Sequence, residues 1–259
     1  MKKNIKIGLF QLDSSYEMLQ KNLDYIEKKI SKNSKLDIFI LGELFNTGYD
    51  LKKVKNRAVN QNEILQFVKK ITKKYSLTSI FGSLGEVKNG KLYNISYYIE
   101  NGNITKKYKK IHLFTLTGED KYFSSGSKIQ IVEYKGWKIG LSICYDLRFP
   151  ELFVQLRKND VDLFVLPANW PQKRIDHWLN LNKSRAIENQ AYMIAVNRVG
   201  IENNIKFGGN SVVFSPWGEC LINMKMKKGF KSVNLNYNII KESRAKLNSF
   251  RDRKPEIYN

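Results

Sequence analysis

The chain has 259 residues, of which 42% are hydrophobic and 12% aromatic, a composition typical of a globular protein with a large core. Its formal charge of +21 comes mostly from scattered lysines without the interleaved aromatic side chains that stack on bases, so nucleic-acid binding is not favoured. No apolar run approaches the roughly 20 residues that span a bilayer, and the N-terminus does not resemble a signal peptide. The two cysteines offer neither a disulfide framework nor metal-ligand spacing, so we expect a cytoplasmic protein that binds no membrane and no metal.

Strands and helices alternate along the first half of the chain. The predicted strands lie at 4–12, 36–41, 82–87, 91–100 and 104–110. Ser14 and Glu17 predict a capping box at the start of a helix that follows the first strand. A second helix is predicted near 61–75.

The second half repeats this style. The predicted strands are a pair joined by a turn within 134–143, single strands at 161–167 and 191–199, and further strands within 210–236. Helices are predicted to open at Pro150 and to cover 173–190. No repeat or linker interrupts the pattern, so we predict one α/β domain over residues 1–259 with a mixed sheet.

Polar residues stand at the ends of several predicted strands. Glu43 follows the second strand closely, Lys110 ends the fifth, Cys144 ends the strand pair, and Asn169 with Trp170 follows the strand at 161–167. Because ligands gather beyond the carboxyl ends of strands in α/β sheets, these side chains are predicted to converge on one cleft.

The position of Cys144 at the end of a strand leaves its role undecided. Free cysteines are often buried as small apolar residues, and Cys220 is predicted to be such a strand-core residue. A position between a strand and a helix, or beside a lysine, predicts instead a lowered thiol pKa and a nucleophile. A cysteine–histidine pair would need His112 or His177, and no supporting motif accompanies either.

Three segments in sequence order resemble the nitrilase superfamily of carbon–nitrogen hydrolases. They are ELFNTGY at 43–49, YKKIHLF at 108–114 and ICYDLRFPE at 143–151. The resemblance covers nearly the whole chain. It implies a four-layer α-β-β-α sandwich with mixed sheets and a homodimer that associates through its faces.

The resemblance also implies a catalytic apparatus. Glu43, Lys110 and Cys144 match the family's triad, and Glu119 resembles a second glutamate that many of its amidases use. Cys144 would attack an amide carbonyl to form a thioester, with Glu43 as general acid and base. Lys110 and the backbone N–H of Tyr145 would hold the oxyanion, where one donor contributes about 3 to 4 kcal/mol. The sequence contains no Walker loop, dinucleotide-binding fingerprint or zinc-ligand spacing, so no cofactor is predicted.

A finer resemblance points to a substrate. PANWPQKRIDHW at 167–178 and SRAIENQAYMIAVNRVG at 184–200 resemble the omega-amidase branch, which hydrolyses 2-oxoglutaramate and 2-oxosuccinamate. Such substrates carry a carboxylate, for which Arg148 is the candidate partner. An internal ion pair of Arg148 with Asp146 or Glu151 is the alternative.

The remaining predictions concern the pocket and the competing functions. Tyr49, Asn169 and Trp170 are predicted to shape the pocket walls, although core packing explains large aromatic residues equally well. Another amidase of the superfamily, acting on deaminated glutathione or an N-carbamoyl compound, is the first alternative function. A non-catalytic nucleic-acid-binding protein is the second.

Overall fold

The computed structural model describes residues 4–33 and 35–258. The strands are β1 (Ile5–Gln11), β2 (Ile38–Ile40), β3 (Thr78–Lys88), β4 (Lys91–Glu100), β5 (Asn103–Lys109), β6 (Gln130–Tyr134), β7 (Trp137–Leu141), β8 (Leu163–Ala168), β9 (Tyr192–Asn197), β10 (Ile201–Glu202), β11 (Ile205–Lys206), β12 (Val212–Phe214), β13 (Cys220–Asn223) and β14 (Gly229–Leu235). The helices are α1 (Leu19–Ser31), α2 (Leu51–Arg57), α3 (Gln61–Lys74), α4 (Pro150–Lys158), α5 (Ile175–Asn189), α6 (Tyr237–Lys246) and α7 (Pro255–Tyr258). In this described part of the chain, no helix is long and apolar enough to cross a membrane.

Two six-stranded mixed sheets form the centre of the fold. Their strand orders are β14-β1-β2-β3-β4-β5 and β13-β12-β9-β8-β7-β6. In each sheet three parallel strands, β1-β2-β3 or β7-β8-β9, are flanked by antiparallel strands. The predicted α/β class with mixed sheets is therefore confirmed.

The side chains of the first sheet alternate between two apolar layers, as the two-residue period of a strand requires. Ile7 and Leu9 of β1 pack in the core shared with the second sheet, whereas Phe10 packs with residues of α1 and α3. On the far side, Phe153 of α4 and Trp178 of α5 pack in the cluster that contains the second sheet. The order of layers is helix, sheet, sheet, helix, which confirms the predicted four-layer sandwich.

Several local predictions are wrong. The predicted capping box of Ser14 and Glu17 does not form, because a 3-10 turn at Tyr16–Met18 precedes α1 and its N-cap residue, Ser15, makes no capping bond through its side chain. Cys220 lies in a strand but is exposed, since β13 is the edge strand of the second sheet. Helices α2 and α6 were not predicted from the sequence.

Candidate active site

Polar residues that follow four different strands lie together between the two sheets. Glu43 and Lys110 come after β2 and β5 of the first sheet, and Cys144 and Asn169 come after β7 and β8 of the second. Hydrogen bonds join Glu43 to both Lys110 and Asn169. Glu43 and Lys110 are the two charged groups with the largest effects on the thiol of Cys144.

A close contact between backbone segments fixes the position of Glu43. A Cβ on Gly82 would lie 1.9 Å from the carbonyl oxygen of Gly42, so only glycine lets β3 approach this far. The neighbouring Ser83 then donates its N–H to that carbonyl at 3.1 Å and accepts the N–H of Leu44 on its Oγ at 2.8 Å. Hydrogen bonds between Ser83 and the residues before and after Glu43, Gly42 and Leu44, therefore fix the backbone at Glu43.

The carboxylate of Glu43 is fully buried and surrounded by donors. Its Oε1 accepts from Lys110 Nζ at 3.0 Å and from Asn94 Nδ2 at 2.9 Å, and its Oε2 accepts from the backbone N–H of Asn169 at 2.7 Å. Burial raises the pKa of Glu43 above its ordinary value, despite the opposing charge of Lys110. Asn94 is a contact that the sequence did not predict.

The ammonium of Lys110 lies between two buried carboxylates. Lys110 Nζ is 3.0 Å from Glu43 Oε1 and 2.8 and 2.9 Å from the two oxygens of Glu119. Glu119 Oε2 also accepts the backbone N–H of Phe114 at 2.7 Å. Burial acts to lower the pKa of Lys110, but the charges of Glu119 and Glu43 outweigh it and hold that pKa well above its ordinary value. Lys110 is therefore a permanent cation.

Cys144 occupies a strained turn that a buried aspartate stabilises. Its φ of 48° lies in the left-handed region, and it opens the short 3-10 helix that follows β7. Asp146, two residues later, accepts from the backbone N–H of Ile143 at 2.8 Å and from the hydroxyl of Tyr108 at 2.7 Å. It also accepts from both the backbone N–H and Nδ1–H of His112, at 3.1 and 2.8 Å. Since Tyr108 and His112 flank Lys110 in sequence, Asp146 connects the turn at Cys144 to that segment.

The prediction of a lowered pKa for the Cys144 thiol is wrong. Burial and the charge of Glu43 together raise this pKa well above its ordinary value, and Lys110 offsets them only in part. The short 3-10 helix at Cys144 does not reverse the effect of burial. The site therefore holds a neutral thiol beside a carboxylate, an arrangement in which the carboxylate can act as a general base.

The two histidines have partners other than Cys144. The ring of His112 stacks on Phe149 with centroids 3.8 Å apart, and its Nδ1 donates to Asp146. His177 Nδ1 accepts a hydrogen bond from Arg148 Nη2 at 3.2 Å. These contacts give a cysteine–histidine pair no support.

A cavity of about 630 Å³ opens onto Cys144. Aromatic residues form much of its wall, namely Tyr49, Phe114, Tyr145, Trp170 and Phe207. Four cationic residues also line it, namely Arg148, Lys173, Arg174 and Lys206. None of its described lining residues is an aspartate or glutamate, so the cavity wall favours an anionic ligand.

Arg148 faces this cavity rather than an internal carboxylate. Its guanidinium lies 5.0 Å from the centre of the Trp170 ring and donates to His177. Neither Asp146 nor Glu151 forms an ion pair with Arg148 in the described structure, so the alternative of an internal pair is wrong. The guanidinium is therefore available to a ligand.

The remaining predicted pocket residues have mixed roles. Tyr49 and Trp170 line the cavity, while the Tyr49 hydroxyl lies 3.0 Å from Thr117 Oγ1 and Trp170 Nε1 donates to the carbonyl of Arg174. Asn169 lines the cavity and also binds Glu43 through its backbone N–H. Lys173 and Lys206 were missed, because lysines are too common in this chain to mark a site by themselves. Arg174 was also missed, although it lies in the segment at 167–178.

The comparison with known families agrees with this fold. The family described as carbon-nitrogen hydrolase matches residues 6–230. The chain belongs to the carbon–nitrogen hydrolase family, which confirms the resemblance to the nitrilase superfamily, and it is an amidase.

Among its relatives are two named amidases. The chain is 34% identical over 255 residues to a 2-oxoglutaramate amidase of Bacillus subtilis (strain 168), covering 97% of this chain and 98% of that protein. It is 30% identical over 250 residues to omega-amidase YafV of Escherichia coli (strain K12), covering 96% of each. The crystal structure of XC1258 from Xanthomonas campestris, a CN-hydrolase superfamily protein with an arsenic adduct in the active site, has a TM-score of 0.89 and 25% identity. That match covers 97% of this chain and 98% of the other.

Proposed function

We propose that this amidase hydrolyses the side-chain amide of short 2-oxo acid amides, such as 2-oxoglutaramate and 2-oxosuccinamate, to an acid and ammonia. The observation that carries the proposal is the pairing of a buried thiol, carboxylate and ammonium with a cavity wall that bears cations and no described carboxylate. The names of the two amidases similar to this chain support the same class of substrate.

In the first half of the proposed reaction, the Cys144 thiol gives its proton to Glu43, and its sulfur forms a bond to the amide carbon. The carbonyl oxygen becomes an oxyanion, which Lys110 Nζ and the backbone N–H of Tyr145 stabilise. Glu43 then passes the proton to the amide nitrogen, the C–N bond breaks, and ammonia leaves a thioester on Cys144. Glu119, bonded to Lys110 at 2.8 and 2.9 Å, orients the ammonium.

In the second half, Glu43 takes a proton from a water molecule as its oxygen adds to the thioester carbon. The same two donors hold the second oxyanion. The C–S bond then breaks, the carboxylic acid forms, and Glu43 returns the proton to the Cys144 sulfur. Because the thiol begins and ends neutral, its raised pKa is compatible with this cycle.

The charge of the cavity supports the choice of oxo acids over amino acids. The carboxylate of 2-oxoglutaramate would meet Arg148, whose planar guanidinium suits two parallel hydrogen bonds. Glutamine has the same amide and carboxylate but adds an ammonium, for which the cavity wall offers cations and no described carboxylate. We therefore expect glutamine to be a poor substrate.

The test is ammonia release from 2-oxoglutaramate, with glutamine and a simple aliphatic amide as controls. Fast turnover of the oxo-amide, with little turnover of either control, supports the proposal. If the oxo-amide is inert while N-substituted or N-carbamoyl amides are hydrolysed, the substrate assignment is wrong and the amidase class remains.

Arg148→Met should raise the KM for 2-oxoglutaramate by about tenfold to a hundredfold, because a charged hydrogen bond to the substrate carboxylate contributes roughly 1.5 to 3 kcal/mol. The KM for a neutral aliphatic amide should stay nearly constant. Steady-state kinetics with both substrates separates a lost carboxylate contact from general damage. Equal loss for both amides would argue against a carboxylate-binding role for Arg148.

The rate should fall at acidic pH with a midpoint above the ordinary glutamate value. Glu43 must be ionised to accept the thiol proton, and burial raises its pKa, so protonation inactivates it at a higher pH than a solvated glutamate. The pH dependence of kcat/KM for a neutral amide gives this midpoint without a contribution from substrate ionisation. A flat profile down to the ordinary glutamate pKa would contradict a buried base.

The size of the cavity favours one second candidate. At about 630 Å³ it exceeds what a short oxo-amide fills, so a longer acyl or amine part could also be accommodated. An amidase for deaminated glutathione is the alternative that fits this observation, and release of the amine from an N-substituted amide of 2-oxoglutarate tests it.

We further propose a homodimer, as the sequence resemblance implies. Exposed apolar side chains, including Trp217 and Leu221 near the edge of the second sheet, are available for such a contact. We also propose that the enzyme works in the cytoplasm, as the two cysteines without a disulfide framework indicate, and without a cofactor.

A further inference from the structure

A carboxylate on the hairpin β10–β11, with 9% of its side chain exposed, joins parts of the chain that are far apart in sequence. Glu202 Oε2 accepts hydrogen bonds from Arg198 Nη1 and from the backbone N–H of Tyr49, both at 2.7 Å. Glu202 Oε1 lies 3.4 Å from Arg57 Nη1. Arg198 is fully buried and also donates through Nη2 to Asp13 Oδ1 at 2.7 Å. We call the four charged residues Asp13, Arg57, Arg198 and Glu202 the Glu202 cluster.

The Glu202 cluster contacts two aromatic residues on one side of the cavity. The guanidinium of Arg198 lies 4.2 Å from the centre of the Phe207 ring. Phe207 in turn packs edge-on against Tyr49, with ring centroids 6.4 Å apart. Because Glu202 binds both Arg198 and the Tyr49 backbone, each of the four residues Glu202, Arg198, Phe207 and Tyr49 contacts two of the others. Tyr49 and Phe207 line the cavity, whereas Arg198 and Glu202 do not, so the cluster can affect the cavity only through neighbouring lining residues such as these two.

Two glycines are fitted closely around the cluster. A Cβ on Gly48, whose φ is 66°, would lie 2.5 Å from Glu202 Oε1. A Cβ on Gly200, whose φ is 99°, would lie 2.4 Å from Asp13 Oδ2. A side chain at either position would displace a carboxylate and strain the backbone. Gly48→Ala is therefore a way to disturb the Glu202 contact without removing any charge.

We propose that Glu202 is a positioning residue that fixes Tyr49 and Phe207 as one wall of the cavity and thereby sets the width of the entrance to Cys144. Desolvation offsets much of the attraction within a buried ion pair, so such a pair is weak evidence for added stability. Without the Glu202 carboxylate, Arg198 keeps only the carboxylate of Asp13 among its described ion-pair partners, and the backbone N–H of Tyr49 loses its charged acceptor. The wall then has more than one arrangement, and larger molecules reach the thiol.

The experiment measures alkylation of Cys144 in protein that carries Cys220→Ser, which removes the only other thiol of the chain. The two reagents are iodoacetamide, which is small, and fluorescein maleimide, which is bulky. The ratio of the bulky to the small rate constant cancels changes in the thiol itself. Glu202→Gln and Gly48→Ala are compared with a control variant, Glu86→Gln. The side chain of Glu86 is 9% exposed, like that of Glu202, and forms an ion pair of 3.1 Å, but Glu86 does not line the cavity.

The ratio is expected to rise about tenfold in Glu202→Gln and in Gly48→Ala, since displacements near 1 Å change such rates strongly, and to stay unchanged in Glu86→Gln. An unchanged ratio in both cavity-wall variants, or an equal rise in Glu86→Gln, overturns the proposal. If Glu202→Gln does not fold, as its thermal unfolding will reveal, Gly48→Ala decides the question.

A kinetic measurement adds a second readout. For 2-oxoglutaramate we expect a KM about tenfold higher in Glu202→Gln with kcat within about threefold, the pattern of weakened binding at an intact catalytic centre. This arm rests on the proposed function, whereas the alkylation ratio does not depend on any substrate. An inert wild-type enzyme would therefore count against the substrate and leave the test of Glu202 intact.

Discussion

Cys144→Ala should reduce ammonia release from 2-oxoglutaramate at least about ten-thousandfold, because the proposed reaction has no covalent route without the thiol. The fold should survive, since alanine keeps a small apolar group in a nearly buried position and has the same backbone preference as cysteine at a φ of 48°. The measurement is ammonia release alongside thermal unfolding of both proteins.

Cys220→Ala is the matched control, because Cys220 is the other free cysteine and is exposed. It should retain wild-type activity. Acid quenching of the wild-type reaction should add the mass of the acyl group to the peptide that contains Cys144, and the Cys144→Ala protein should show no adduct. Substantial turnover by Cys144→Ala would mean that another group, or water directly, attacks the amide.

Lys110→Met should lower the free energy of unfolding at neutral pH by about 3 to 5 kcal/mol, because it leaves Glu43 and Glu119 buried without their shared cation. It should also lower kcat by at least about a hundredfold to a thousandfold, since the oxyanion loses a charged donor. Urea unfolding gives the stability, and ammonia release gives the activity. The double variant Lys110→Met, Glu119→Gln should recover part of the stability but none of the activity.

The stability loss of Lys110→Met should shrink as the pH falls. The pKa of Glu43 is already raised in the folded enzyme, and removal of Lys110, which opposes that shift, raises it further. A group with a raised folded pKa binds its proton more tightly when folded, so its contribution to stability is present at low pH and is lost as the pH rises through that pKa. Unfolding measured at pH 5 and at pH 8 should show the smaller deficit at pH 5. A deficit independent of pH would argue against an ionised Glu43 in the variant.

The order of elements and the strand-end placement of polar residues could be predicted from local patterns. Buried strands such as β8 and amphipathic helices such as α3 have strong periodicity, and the turns between β3, β4 and β5 have characteristic residues. Helix α6 could not be predicted in the same way, because its apolar stripe is weak and its packing partners, including Gln190, are distant in sequence. The predicted capping box required Ser14 to face the helix, but Ser14 is buried instead.

Properties that depend on burial could not be predicted. The direction of the Cys144 pKa shift follows from desolvation and from a carboxylate about a hundred residues earlier in the chain, neither of which a short motif reveals. The Glu202 cluster depends on a contact between Asp13 and Arg198, which are 185 positions apart. The partner of Arg148 could not be predicted for the same reason. Its contacts are with His177 and Trp170, which the fold brings close to it from more distant positions in the sequence.

The raised pKa of Cys144 bears on how the enzyme lasts between reactions. Peroxides attack thiolates far faster than thiols, and a thiolate kept permanently in a cavity would be lost step by step to sulfenic and sulfinic acids. In the proposed reaction the Cys144 sulfur is deprotonated only as it attacks the substrate, so it spends little time in its vulnerable form.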